Sequence, residues 1–350
     1  MRTFLAVLFI LIALLVAASF LASPIDPVAW EPAPNPGLRG EFAPNTELAK
    51  ARRLLDGVGS GPEAVACGPD GELYTGLNDG RILAFDSAGN YRELANTGGR
   101  PLGMKVDAAG HLIVADAGRG LISVAPDGGI AVLADSVDGK RMLFVDDLDI
   151  AEDGTIWFSD ASTRRDYHTS IYDFLEGQRT GRLLSYEPAS GNTEVRLDGL
   201  FFANGVALGP DDDYVLVNET GTGRIHRLWL EGERAGQRDL FHAGLPGAPD
   251  NITFDGGETF WVAMPSLRDS MDQMADKPWL RRLLSLLPPG VLSANANNYS
   301  FVVGLGLDGA VKANLQDRER GYINTTSAVD CDGALYLGSL TMPAVARMPL

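Results

Sequence analysis

The sequence predicts an all-β protein, a six-bladed β-propeller with a cation site on its axis. Three observations support this fold. An apolar strand, an Asp-Gly type of turn and a second apolar strand recur along the chain. The unit returns roughly every 40 to 55 residues, a period typical of propeller blades. Oxygen-bearing side chains also occupy the same place in four of the copies.

The N-terminal segment, residues 1–23, is set apart from these repeats. Arg2 is followed by an uncharged apolar run from Phe4 to Ala22. As a helix this run would be about 28 Å long, close to the thickness of a hydrocarbon core. We expect a single transmembrane helix here. The run is long for a signal peptide, which favours an uncleaved anchor with the rest of the chain on the extracytoplasmic side, periplasmic or lumenal.

A Pro-rich stretch, residues 24–44, follows and predicts an extended stalk. The propeller is predicted over residues 45–350. The most regular parts of its six repeats read GPEAVACGPDGELYTGLNDGRILAFD, LGMKVDAAGHLIVADAGRGLISVAPDG, DLDIAEDGTIWFSDAS, NGVALGPDDDYVLVNETGTGRIHRLWL, PDNITFDGGETFWVAM and TSAVDCDGALYLGSLTMPAVARMPL. The last repeat ends after about three strands. A fourth strand from the segment before Gly61 would close the ring and remove two exposed sheet edges.

Two insertions interrupt the blades, at about 164–182 in blade three and 266–292 in blade five. The second contains PWLRRLLSLLP, in which prolines at the start and stop and an apolar face predict a short helix. The sequence leaves three roles open for this helix. It could cover the pocket as a lid, dip into a membrane surface, or pack on the rim of the propeller.

Charge and cysteine content limit the compartment and the partners. The formal net charge of -17 argues against nucleic acid or an anionic membrane surface as a partner. Cys67 and Cys331 could pair in an oxidising compartment. They belong to different repeats, however, and strand alternation directs their side chains to different faces, which argues against a disulfide.

The repeated oxygen-bearing residues predict the functional site. Glu63, Asp146 and Asn204 each stand eight residues before the third residue of their turn, and Asp250 opens a shorter copy. Carboxylate and amide oxygens are the ligands that Ca²⁺ prefers. Equivalent positions in a ring of blades would present them to one ion. We therefore expect Ca²⁺, or another divalent cation, on the axis.

Beyond this repeat, the chain carries motifs of a known family. They are IWFSDAS at 156–162, GRLLSYEP at 181–188, FFANGVALGPDDDYVLVNET at 201–220, PGAPDNI at 246–252, KPWLRRLL at 277–284 and DGALYLGS at 332–339. From Glu63 to Leu350 the chain resembles the strictosidine synthase-like group of the gluconolactonase, paraoxonase and luciferin-regenerating-enzyme superfamily. The resemblance implies a six-bladed β-propeller with a central calcium ion.

Carried over by position, the family's calcium ligands fall on Glu63, Asn204 and Asp250. Asn251 matches a further ligand of the paraoxonases, and Asp146 stands where many of the hydrolases have asparagine. The superfamily's hydrolases use the carboxylate that matches Asp250, so this residue is expected to be the general base or the nucleophile.

Two positions depart from the family pattern. Leu102 stands where paraoxonases have a catalytic histidine. Ser327 stands where strictosidine synthase has a glutamate, so condensation of an amine with an aldehyde lacks its expected base. Both residues, and His168 in the first insertion, are expected to lie near the pocket.

We therefore expect a calcium-dependent hydrolase of lactones or aryl esters, acting on a small molecule and attached to a membrane through its N-terminal helix. The alternative is a non-catalytic propeller that binds a small molecule or a protein.

Overall fold

The chain folds as the predicted six-bladed β-propeller. The computed structural model describes residues 2–294, 298–319 and 321–350. Within this part of the chain, six antiparallel sheets of four strands form the blades. The first strands in chain order are β1 (Arg52–Leu54), then β2 (Val65–Cys67), β3 (Leu73–Gly76), β4 (Arg81–Phe85) and β5 (Tyr91–Asn96) of blade one, and β6 (Pro101–Val106), β7 (Leu112–Asp116), β8 (Gly120–Val124) and β9 (Ile130–Ala134) of blade two. After the hairpin of β10 (Ser136–Val137) and β11 (Lys140–Arg141) come β12 (Val145–Ile150), β13 (Ile156–Asp160), β14 (Gly181–Glu187) and β15 (Asn192–Leu200) of blade three, and β16 (Ala203–Leu208), β17 (Tyr214–Glu219), β18 (Arg224–Trp229) and β19 (Arg238–Ala243) of blade four. The last strands are β20 (Ile252–Phe254), β21 (Thr259–Ser266), β22 (Asn298–Gly306) and β23 (Val311–Gln316) of blade five, and β24 (Thr325–Cys331), β25 (Ala334–Ser339) and β26 (Val345–Pro349) of blade six.

Short helices occupy the two insertions. The α-helices are α1 (Arg2–Ala22), α2 (Ser170–Glu176), α3 (Asp269–Asp272), α4 (Pro278–Leu284) and α5 (Pro289–Ala294). Helix α2 lies between β13 and β14, and α3, α4 and α5 lie between β21 and β22. Helix α4 coincides with the segment whose prolines predicted a helix.

The turn between the first two strands of a blade requires left-handed backbone. In blade three Gly154 supplies it, with a φ of 88°. Asp153 stabilises the same turn, because its Oδ1 accepts the Thr155 N–H at 2.8 Å. In blade four Asp212 replaces the glycine and still adopts a φ of 56°, a conformation that aspartate tolerates better than most residues. These turns make the first two strands of each blade antiparallel.

Apolar layers between neighbouring blades form the core. Strand β17 shows how the period of two builds them: Leu216 packs toward blade five, whereas Val215 and Val217 pack toward blade three. Full burial of each such side chain contributes about 1.5–3 kcal/mol. Each sheet is therefore apolar on both faces, and a blade is stable only between two neighbours.

Two links close the ring between blades six and one. Strand β1 pairs with β26, with Arg53 opposite Ala346, as expected for a strand taken from before Gly61. The second link is a disulfide between Cys67 and Cys331, whose Cα atoms are 5.7 Å apart. The argument against pairing was wrong because it treated the two strands separately. Each cysteine ends the innermost strand of its blade, and these two innermost strands are neighbours around the axis.

The Pro-rich segment is extended but does not project from the propeller as a stalk. The Val28 N–H donates to the Glu176 carbonyl at 2.8 Å, and the Ala33 N–H donates to the Thr222 carbonyl at 3.2 Å. Phe42, also from this segment, is buried in the apolar layer between blades four and five. The segment is thus packed across the insertions and blade four, because its few apolar side chains find buried sites there.

Helix α1 precedes this segment and contacts α4, where the Arg282 guanidinium lies 4.8 Å from the centre of the Phe20 ring. Several of its apolar side chains are exposed, Phe4, Phe9 and Leu21 among them. Counting only the described residues, no helix has both the length and the apolar character needed to cross a membrane. The transmembrane helix predicted over residues 1–23 is therefore not supported.

Candidate functional site

Four predicted ligand residues lie together at one end of the central channel. This end, where the innermost strand of each blade begins, is called the upper end. Asp146 and Asn204 are the second residues of β12 and β16, and Glu63 and Asp250 lie two residues before β2 and β20. All four side chains are buried. Equivalent positions in four blades thus place three carboxylates and an amide around the axis.

Hydrogen bonds connect these residues across the channel. The Asn251 Nδ2 donates to Glu63 Oε1 at 3.0 Å, which joins blade five to blade one. The side chain of Asn204 donates to the Asp250 carboxylate, which joins blade four to blade five. Asn251 itself is 2% exposed, so the fifth predicted ligand lies in the same buried cluster.

Burial and mutual repulsion hold the carboxylates in an unfavourable electrostatic environment. Burial raises the pKa of Glu63 to about 7. Burial, then the charges of Glu63 and Asp250, raise the pKa of Asp146 well above its usual range. The pKa of Asp250 is also raised well above its usual range, first by burial and then by the charge of Glu63. A cation between these carboxylates would attract them and so offset their mutual repulsion.

Several oxygens of the cluster lack hydrogen-bond donors. Within the cluster, the buried oxygens without a partner among the described residues are Glu63 Oε2, Asn204 Oδ1, Asn218 Oδ1 and Asn251 Oδ1. A buried oxygen left without a donor is costly, and oxygens of this type fit a hard divalent cation such as Ca²⁺. The described residues contain no group of three or more His, Cys, Asp or Glu arranged to hold a metal ion. The donor set here is mixed, with amides beside carboxylates, and calcium binding stays a prediction.

Sequence reasoning missed two members of this cluster, Asn218 and Asp147. The Asn218 Nδ2 donates to the backbone carbonyl of Asp250 and holds that residue in place. The Asp147 Oδ2 accepts the Val206 N–H at 2.9 Å, so the carboxylate caps an innermost-strand amide of the next blade. The sequence could have indicated Asp147, because it directly follows the predicted ligand Asp146 in the segment VDDLD. Consecutive side chains of a strand point to opposite faces, so Asp147 is directed away from its neighbour.

A cavity of about 140 Å³ lies on the other side of the cluster, in the lower part of the channel. Asp147, Asn251 and Ser327 line it, together with Lys105, which forms an ion pair with Asp149. The Ser327 Oγ accepts the Gly338 N–H at 3.1 Å. Ser327 therefore lies in the channel, on the side away from the upper end.

The upper end is covered by an apolar cluster, called the upper cluster. Its buried members are Trp30, Leu102, Ala117, Phe144, Ala161, Phe201, Phe202 and Ala275. They come from the N-terminal segment, the upper ends of blades two, three and four, and the blade-five insertion. Leu102 is thus a packing residue of this cover. His168 is exposed and stacks on Tyr167 with ring centres 3.8 Å apart, and it does not line the channel cavity.

Arg281 of α4 holds the cover together. Its side chain is fully buried. Its Nη1 donates to the Leu175 carbonyl at 2.7 Å, and its Nη2 donates to the Val28 carbonyl. The guanidinium also lies 4.2 Å from the centre of the Trp30 ring. One side chain therefore joins both insertions to the N-terminal segment, and the choice among the three roles of α4 stays a prediction.

Fold and site together define the class of protein: a six-bladed β-propeller with a buried set of carboxylate and amide oxygens at the upper end of its channel. Comparison with known proteins gives the family. Residues 146–233 match the strictosidine synthase family model, and residues 40–85 match the model of the strictosidine synthase-like N-terminal region.

The chain is 36% identical to adipocyte plasma membrane-associated protein of Rattus norvegicus, over 97% of this chain and 96% of that protein. It is 35% identical to strictosidine synthase-like 4 of Arabidopsis thaliana, over 87% and 83%. A gluconolactonase structure from Xanthomonas campestris superposes with a TM-score of 0.63 at 19% identity, covering 94% of this chain and 98% of that one. The chain belongs to the strictosidine synthase-like family that includes the adipocyte plasma membrane-associated proteins.

Proposed function

We propose that this chain is a calcium-dependent hydrolase of lactones or aryl esters. The ion would be held by Glu63, Asp146, Asn204, Asp250 and Asn251. When bound, it would polarise the scissile carbonyl and stabilise the oxyanion. The observation that carries the proposal is the buried cluster of oxygens in which several have no donor. The gluconolactonase named among the proteins of similar fold supports the same substrate class.

Asp250 is the residue best suited to act on the attacking water. Asn218 holds its backbone and Asn204 holds its carboxylate. Burial and the charge of Glu63 raise the pKa of Asp250, and a bound cation would oppose this shift and keep the carboxylate ionised. As general base it takes a proton from water as the water oxygen bonds to the carbonyl carbon. The acyl–oxygen bond then breaks, and the proton passes to the leaving oxygen. As nucleophile its carboxylate would bond to the carbonyl carbon as the acyl–oxygen bond breaks. Water would then cleave the resulting anhydride, which gives the acid, restores Asp250 and releases the proton that the leaving oxygen takes up.

The protein would act outside the cytoplasm and close to a membrane. A disulfide such as Cys67–Cys331 is typical of oxidising compartments. The rat relative is named as plasma membrane-associated. Exposed apolar side chains of α1 are the surface available for such an association.

A non-catalytic propeller that binds a small molecule is the second candidate. It is favoured by Leu102, a buried packing residue at the place of the paraoxonase histidine. Ser327 supports it as well, since its hydroxyl already accepts a backbone N–H.

The deciding experiment measures hydrolysis of a panel of lactones and aryl esters by the full chain, with and without calcium. Asp250→Asn should lower kcat/KM by about 100-fold or more, and chelation should abolish turnover. Asp255→Asn is the matched control, because Asp255 is an exposed turn residue of the same blade. Activity that survives both changes would rule out the mechanism. Tight ligand binding without any turnover would select the second candidate.

A further inference from the structure

Arg100 carries a buried donor that no described residue satisfies. The residue lies between β5 and β6, at the upper end, and is 4% exposed. Its Nη1 donates to the Gly61 carbonyl at 2.9 Å. Its Nη2 is buried and has no hydrogen-bond partner in the described part of the chain. A buried guanidinium N–H without an acceptor is costly, so its retention points to an acceptor that the protein does not itself provide.

The surroundings of Arg100 place this donor at the candidate site. Burial lowers the pKa of Arg100, and the charges of Glu63 and then Asp146 act in the opposite direction. Both carboxylates belong to the predicted ligand set. Arg100 therefore adds one fixed positive charge at the edge of an otherwise acidic cluster.

The backbones of Arg100 and of the proposed base belong to opposite blades. Arg100 directly precedes β6, the innermost strand of blade two, and Asp250 precedes β20, the innermost strand of blade five. Blades two and five face each other across a ring of six. A ligand held beneath the upper cluster would thus lie between Arg100 and Asp250, near enough to both that the charge of Arg100 also acts on Asp250.

We propose that Arg100 binds an anionic group of the substrate, and that the substrates are lactones or esters carrying a carboxylate away from the scissile carbonyl. A guanidinium N–H forms its strongest hydrogen bonds with carboxylate oxygens, and burial excludes the water that would compete. The inference rests on the proposed function, because it assigns the reacting carbonyl to the Asp250 side.

Binding and turnover are tested with separate probes. The binding probe is 3-oxocyclopentane-1-carboxylate, a ring ketone that cannot be hydrolysed, compared with its neutral primary amide by calorimetry. The turnover probe is 5-oxotetrahydrofuran-2-carboxylate, compared with its own amide. The wild-type chain should prefer each acid over its amide by about tenfold or more.

Three variants assign this preference to Arg100. Arg100→Gln should bind acid and amide equally, and Arg100→Lys should retain part of the preference as a point charge. Arg92→Gln, which removes an exposed arginine paired with Glu72 in blade one, should leave the preference unchanged.

The outcomes separate the two proposals. Equal binding of acid and amide by the wild-type chain overturns the role of Arg100, and this result needs no variant to fold. An unchanged preference in Arg100→Gln also overturns it. Turnover of both lactones without regard to charge leaves the hydrolase standing and removes the anion site. A charge preference in binding without turnover of either lactone supports the anion site and refutes the hydrolase.

Discussion

The disulfide at the ring closure makes a quantitative prediction about stability. Cys67→Ser combined with Cys331→Ser removes the covalent link between blades one and six and leaves the pairing of β1 with β26 in place. The two serines are close in size to the cysteines they replace. The change therefore removes a cross-link and little packing.

The magnitude follows from the length of chain that the link closes. The cysteines are 264 residues apart, which is nearly the whole propeller. The chain-entropy relation assigns about 5–6 kcal/mol to a loop of this length. Because β1 and β26 close the same ring by a second route, this value is an upper bound. For a domain of this size the corresponding loss in Tm is roughly 5–9 °C.

Scanning calorimetry of the wild-type chain with and without reductant provides the measurement. The double variant should unfold at the temperature of the reduced wild-type chain, and reductant should not shift it further. A decrease in the free energy of unfolding below about 1 kcal/mol would refute the entropic argument. The ring would then be held by β1 and blade packing alone.

The remaining predictions concern the two insertions. Burial raises the pKa of Asp173 in α2 to about 7. The folded chain thus keeps a proton that the unfolded chain loses near pH 4, and the free energy of unfolding falls by up to about 4 kcal/mol as pH rises from 4 to 7. Asp173→Asn should remove this part of the pH dependence of the free energy of unfolding, measured by urea titration at pH 5 and 8. The exposed Asp166→Asn serves as the control. If the free energy of unfolding of Asp173→Asn changed between these pH values as much as that of the wild-type chain, the prediction would be contradicted. Arg281→Met leaves buried carbonyls without donors, so residues 24–34 should become sensitive to limited proteolysis, and Arg281→Lys should rescue this only in part. Unchanged protection in Arg281→Met would show that the cover does not depend on this side chain.

Much of the architecture could be predicted from the sequence, because a propeller blade is a local structure. Turn residues such as Gly154 mark where two strands meet, and the apolar periodicity of segments such as β17 marks the strands themselves. Both signals lie within a few residues of the structure that they produce. Counting them yields the number of blades, the closing strand before Gly61 and the shared register of the ligand residues.

Other features depended on which blade lies next to which. The disulfide joins strands 264 residues apart in sequence, and strand alternation within each blade could not reveal that they are neighbours. The cover over the upper end arises in the same way. Arg281 satisfies carbonyls of two distant segments, α2 and the N-terminal segment, and no local pattern encodes that convergence.

In the candidate site, too, some features follow from the sequence and others only from the fold. The sequence by itself determined the positions of Glu63, Asp146, Asn204 and Asp250 in their repeats, because equivalent positions in equivalent blades must meet at the axis. Only the tertiary structure decided that Leu102 packs in a cover, that His168 is exposed, and that the Arg100 donor has no partner among the described residues. Burial and hydrogen-bond satisfaction depend on neighbours in space, and a ring of blades brings together neighbours that are far apart in the chain.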